Sequence, residues 1–283
     1  MGKNKLDMVK TKKRPKKSKK SKKSSKKKSK SLPKGIVDVP ISKKISRGSK
    51  ASMGSIDYHY QKYYNTFAFL KEILKKNHTL NNQICIPDVG GGWMQAFLKV
   101  HFMKGVEGIK SHMGSVKPVD AGASKDAFIK EVRHCLTRSR LVPINLEIIV
   151  PGVGTHANMI LIDGHKKTAE LFEPHGNRSA KSELEDISRA YFKVEKNVKR
   201  FFTLYLPDLT FIPPGKYEPK YGLQARLDAY SGLCVTWVIL YMHYRILNPD
   251  VPPKKLINYL DKKVTRNFLL RYTKFVEDTL KHK

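Results

Sequence analysis

The stretch Thr155–Gly176, THANMILIDGHKKTAELFEPHG, decides how the chain folds. Two runs of strand length, Asn158 to Asp163 and Thr168 to Glu173, flank a short polar turn, so the segment reads as a β-hairpin. With Gly164-His165 at the centre of a type II′ turn, Asp163 faces Lys166. Counting outward in that register, His156 faces Glu173 and Glu170 turns to the opposite side. Facing Cβ atoms at such a site are about 4.5–5.5 Å apart, within hydrogen-bonding reach for an imidazole and a carboxylate. The competing register uses Asp163-Gly164 as a type I′ turn and sets Leu171 opposite His156. The first register is the favoured one.

Working outward, Ile144 to Val150 is a further strand before the hairpin. Apolar and aromatic residues at helical spacing predict a helix over Asp57 to Asn77 and another over Lys125 to Arg138. Asp88-Val-Gly-Gly-Gly-Trp93 lacks the lysine and hydroxyl of a phosphate loop and reads as a turn, before a helix containing Met94, Phe97, Leu98 and Val100. Downstream the pattern predicts a charged helix from Ser179 to Arg200 and a strand at Phe201 to Leu206. An apolar helix begins near Gly232, Asn248-Pro249 stops it, and a terminal helix runs from Thr265 to Leu280. The class is α+β, a central mixed or antiparallel sheet with helices on both sides.

Charge divides the chain unevenly. It carries 56 Lys and Arg against 24 Asp and Glu, a formal net charge of +32. Residues 1–50 hold 21 of those bases and two acids, Asp7 and Asp38, which gives +19 and leaves +13 for the rest. The Lys/Ser run has nothing to bury, so residues 1–50 read as a disordered tail and linker suited to contacting nucleic acid without sequence preference. Residues 51–140 read as a helical first part of the folded domain, and 141–283 as its core. Cys85, Cys135 and Cys234 form no spaced pair, which fits a reducing intracellular compartment, with Cys135 as packing. No run approaches the roughly 20 apolar residues that cross a bilayer, and neither a secretory signal nor a metal-ligand spacing is present, so no membrane, metal or cofactor is expected.

The second informative stretch is Gly222–Trp237, GLQARLDAYSGLCVTW. Ser231 suits an N-cap, which places Cys234 third in the helix, where the positive end of the helix favours a thiolate. Asp228 reads as structural.

His156, the LFEPHG segment, Gln224 and Cys234 at a helix start together resemble the adenain type of cysteine protease (clan CE), which includes the adenovirus protease, the SUMO-specific proteases and proteins of large DNA viruses. The resemblance covers roughly residues 141–248. It implies that fold and a catalytic set in which His156 is the base, Glu173 orients it, Gln224 contributes to the oxyanion hole and Cys234 attacks the carbonyl. Ala157 stands where the family usually has Trp, Val235 where it often has Gly, and the interval from Gln224 to Cys234 is longer than usual. The resemblance further implies a viral or ubiquitin-like protein substrate, small residues before the cut, and a place in a virion or in the nucleus or cytoplasm of an infected cell. An acyltransferase on the same scaffold and a non-catalytic nucleic-acid-packaging protein are the alternatives.

Overall fold

A computed structural model of the protein describes residues 35–41, 64–76, 80, 83–87, 93–102, 109–118, 125–150, 154–177, 185–227 and 233–281. The Lys/Ser run, the glycine cluster at 88–92, Asp228 and Ser231 lie outside the described residues.

Six strands make one mixed sheet. They are β1 (Trp93–Phe102), β2 (Ile109–Pro118), β3 (Leu141–Val150), β4 (Gly154–Asp163), β5 (Thr168–Phe172) and β6 (Thr210–Ile212). Their order across the sheet is β2-β1-β3-β4-β5-β6. β1 with β3 and β5 with β6 run parallel, and the other neighbours are antiparallel. Strand alternation sorts the apolar side chains of β3, β4 and β5 into two cores. Val142, Ile144, Leu146, Ile160, Ile162 and Leu171 pack with α2 (Lys125–Arg138) and α3 (Glu185–Tyr205). Leu141, Ala157, Met159, Leu161 and Phe172 pack in the other core with α5 (Cys234–Leu247), whose flanks are closed by α1 (Tyr64–Lys76), α6 (Pro253–Lys263) and α7 (Arg266–Lys281). Helices therefore cover both faces, as the α+β reading expected.

Three elements differ from expectation. The helix expected around Met94 to Val100 is strand β1. Met94, Ala96, Leu98, Val100 and Phe102 recur every second residue, and the segment pairs with β3 from Trp93↔Asn145 to Phe97↔Ile149. The strand expected at Phe201–Leu206 is the end of α3, because Val194, Val198, Phe201 and Phe202 share one helical stripe facing the core. Helix α6, a further helix between the Asn248-Pro249 stop and the terminal helix, opens on Pro253, where a missing N–H costs nothing.

The cysteines also differ from expectation. Cys85 and Cys135 are joined in a disulfide, so Cys135 is not a lone packing thiol. Fifty residues separate them and no motif marks the pair. A tertiary contact makes it, because the bridge of Ile84 to Leu141 at the start of β3 lays Cys85 beside α2.

Within the stretch expected as tail and linker, residues 35–41 are docked on the domain. The Asn248 side chain accepts the Val37 N–H at 2.7 Å and donates to the Val37 carbonyl at 2.9 Å. The Asp38 carboxylate accepts from Tyr244 Oη at 3.0 Å, Tyr259 Oη at 2.5 Å and Lys263 Nζ at 2.9 Å. Although burial opposes its ionisation, these donors hold the Asp38 pKa below the usual value.

Candidate active site

The β4–β5 turn is longer than either expected register. Asp163 pairs with Thr168, and residues 164–167 form the turn, with Lys167 in the left-handed region at φ 51°. The Asp163 carboxylate accounts for this. It accepts the N–H groups of His165 at 3.1 Å and Lys166 at 3.2 Å, the local capping that Asp offers a turn, and Arg140 clamps it from outside at 3.1 Å. Relative to the favoured register the pairing slides by two residues, and an even slide leaves every side chain on its own face.

Glu173 therefore no longer stands directly across from His156. The strand ends at Phe172 before Pro174, and the Glu173 carboxylate reaches His156 from the diagonal position. His156 Nε2 and Glu173 Oε1 are 2.7 Å apart, and both side chains are buried. His175 completes the corner. Its ring lies 4.9 Å from that of His156, and its backbone N–H donates to Glu173 Oε1 at 2.9 Å. Burial opposes ionisation of Glu173. The charge and hydrogen bond of His156, with the charge and N–H of His175, outweigh burial and hold its pKa at about 2.

Cys234 arrives from the other side of the hairpin. α5 begins at Cys234 itself, with Leu233 as N-cap and no side-chain cap, so the expected third position and Ser231 cap are replaced by the first position of the helix. Every α5 residue from Val235 to Ile246 is buried, which fixes the helix in the core and its N-terminus against β4. Burial raises the Cys234 pKa, but the hydrogen bond and charge of His156, with backbone hydrogen bonds at Ala157 and Val235, bring it below the ordinary thiol value. The structure thus brings His156, Glu173 and Cys234 together across a sequence span of 78 residues.

Gln224 lies on the short helix α4 (Leu223–Leu227), and its side chain is buried. Its backbone N–H donates to the Pro174 carbonyl at 2.9 Å, which joins α4 to the loop carrying Glu173 and His175. Two glycines allow that contact. Gly176 has φ +87°, and a Cβ there would stand 2.2 Å from the Gly222 nitrogen; a Cβ on Gly222 would stand 2.3 Å from the Gly176 nitrogen. Only hydrogen side chains fit where the two loops cross.

No protein-family model matches the chain. Over an alignment of 158 positions that covers 46% of this chain, it is 27% identical to the putative ankyrin repeat protein L371 of Acanthamoeba polyphaga mimivirus, and it spans 20% of that relative. Among solved structures it is similar to ChlaDub1 from Chlamydia trachomatis, at 13% identity and a TM-score of 0.33 over 57% of this chain and 68% of that one. It is also similar to the Chlamydia trachomatis effector protein Cdu1 bound to ubiquitin, at 11% identity and a TM-score of 0.35 over 80% and 79% of the two chains.

Residues outside the expected catalytic set support the corner. Glu170 faces α5, where it accepts from Tyr241 Oη at 2.5 Å and pairs with Arg245 at 3.1 Å. Phe172 stacks on Tyr241 with ring centroids 4.0 Å apart. These contacts tie the end of β5 to the helix that carries Cys234. Strand alternation placed Glu170 on the face away from Glu173; its partner Arg245, 75 residues away, left no mark in the local pattern. Among the described residues no group of three or more His, Cys, Asp or Glu could hold a metal, and no helix is long and apolar enough to cross a membrane.

Proposed function

We propose that the chain is a thiol-dependent hydrolase, a cysteine protease whose nucleophile is Cys234, whose general base is His156 and whose orienting acid is Glu173. The observation that carries this reading is the 2.7 Å contact of His156 Nε2 with Glu173, with the same imidazole hydrogen-bonded to a thiol at the start of a buried helix. With Nε2 committed to Glu173, Nδ1 takes the thiol proton. The Cys234 thiolate then adds to the substrate carbonyl carbon, and the charge formed on oxygen is met by backbone N–H groups at the start of α5 and by the Gln224 amide. Collapse of that adduct expels the amine, which leaves with the proton held by His156. The remaining thioester is attacked by water, whose proton passes to His156, and the acid is released with the thiol restored. Glu173 stays ionised throughout at neutral pH, because its pKa is held at about 2.

The substrate in this reading is a protein, viral or ubiquitin-like, cut after small residues. The +19 of residues 1–50 supports non-specific nucleic-acid binding that holds the enzyme in a virion or nucleus. The test is Cys234→Ala together with alkylation mapping. Hydrolysis of a peptide library should fall below about one per cent, since deleting a nucleophile costs on the order of 10⁴-fold or more. Iodoacetamide should label Cys234 at neutral pH. Retained hydrolysis by Cys234→Ala would refute the assignment.

A further inference from the structure

The end of β5 is held by side chains where a strand would otherwise sit. β5 pairs with β6 from Thr168 to Glu170 only, yet the next backbone groups on that edge are satisfied. The Leu171 carbonyl accepts from Tyr217 Oη at 2.5 Å, and the Glu173 N–H donates to Glu218 Oε1 at 3.0 Å. Tyr217 and Glu218 follow the 3₁₀ turn Pro214–Lys216, and the Glu218 N–H returns to the Pro214 carbonyl at 2.7 Å. Both side chains are buried. An unmet N–H at this depth would be costly, so the Glu173 backbone is fixed wherever Glu218 accepts it.

Resting on the reading of Cys234, His156 and Glu173 as the catalytic set, we propose that Glu218 is a positioning residue that sets the Glu173 carboxylate against His156 by accepting the Glu173 N–H. A buried carboxyl does this as the neutral acid, through its carbonyl oxygen. Burial comes first among the causes, and the neighbouring charges of Glu173 and Glu170 add to it. Together they push the Glu218 pKa well above the usual carboxyl value, although the Glu173 N–H and Tyr217 pull the other way. The ionisable groups around it are Glu170 on β5, Glu173 just beyond it and the adjacent Tyr217. Arg245 and Tyr241 of α5 sit on Glu170, and His156 and His175 sit on Glu173. An ionised Glu218 would add a third carboxylate charge beside Glu170 and Glu173.

The readout is the pH profile of Cys234 alkylation by iodoacetamide in the full chain, which reports the thiolate without a substrate. Glu218→Ala should loosen Glu173, raise the thiolate pKa and slow alkylation near pH 6 by about tenfold, the effect of one pH unit in thiolate pKa. Glu218→Gln keeps a neutral acceptor and should stay within about twofold of the parent chain at every pH. An unchanged profile for Glu218→Ala, or a Glu218→Gln profile like that of Glu218→Ala, overturns the proposal. The parent chain tests it without substitution. The Glu173 amide should be protected from hydrogen exchange, and exchange at the rate of an open amide overturns it. An ordinary thiol profile for Cys234 in the parent chain is a different result, which removes the nucleophile assignment and this inference with it.

Discussion

Glu170 and Glu173 are three residues apart, both buried, and assigned to different tasks, so exchanging each for Gln separates folding from chemistry. Glu170→Gln leaves Arg245 buried without its counter-charge, beside a Tyr241 hydroxyl that donated to the lost carboxylate. Breaking a buried pair in this way costs about 3–5 kcal/mol, which for a domain of this size is a fall in Tm of roughly 6–20 °C. Glu173→Gln costs stability as well. The drop of its pKa from 4.5 to about 2 corresponds to roughly 3 kcal/mol of stabilisation. Because the folded-state pKa is the lower one, that stabilisation is present above pH 4.5 and is lost as pH falls toward 2. The discriminating quantity is turnover per folded molecule, measured on a cleavable peptide, with the folded fraction taken from a denaturant titration. Glu173→Gln should lower it by on the order of 10²–10⁴-fold, because a neutral amide no longer stabilises the imidazolium or fixes its tautomer. Glu170→Gln should keep it within a few-fold of the parent. Its acid-stability profile between pH 4.5 and 2 should persist, whereas Glu173→Gln should flatten it. A Glu170→Gln variant that is stable but inactive, with Glu173→Gln active, would refute both the assignment and the geometry behind it.

Three further variants test the loop crossing and the N-terminal segment. Gly222→Ala should drive its new methyl into the Gly176 nitrogen and the Pro174 carbonyl, cost about 1–3 kcal/mol and lower kcat more than KM, read by thermal unfolding and steady-state kinetics. A wild-type kcat there would detach the loop crossing from the site. A chain lacking residues 1–32 should keep the stability of the parent but lose salt-sensitive binding to duplex DNA. A chain lacking residues 1–50 should in addition melt several degrees lower, because it uncovers Asn248 and the three donors on Asp38. Equal melting of the two truncations would show that the docked segment contributes nothing.

The sequence by itself determined whatever depends on local pattern. Alternation in β4 and β5, together with the breaks at Gly164 and Pro174, made the hairpin legible and assigned Glu170 and Glu173 to opposite faces. The apolar run after Gly232 marked the buried helix that starts with Cys234, and a pairing error of two residues did no harm because strand faces repeat every two. The tertiary structure decided the rest, since those interactions join residues whose local surroundings carry no trace of one another. Arg140, 23 residues away, came to hold the Asp163 carboxylate that caps the turn, and the identity of β1 came from pairing with β3. The Cys85–Cys135 bond, the Asp38 anchor and the Glu218 contact with Glu173 bridge 50, 221 and 45 residues respectively. Burial supplies the physical reason: a polar group taken out of water must find a partner wherever the fold delivers one, and that partner is fixed by packing, not by sequence spacing.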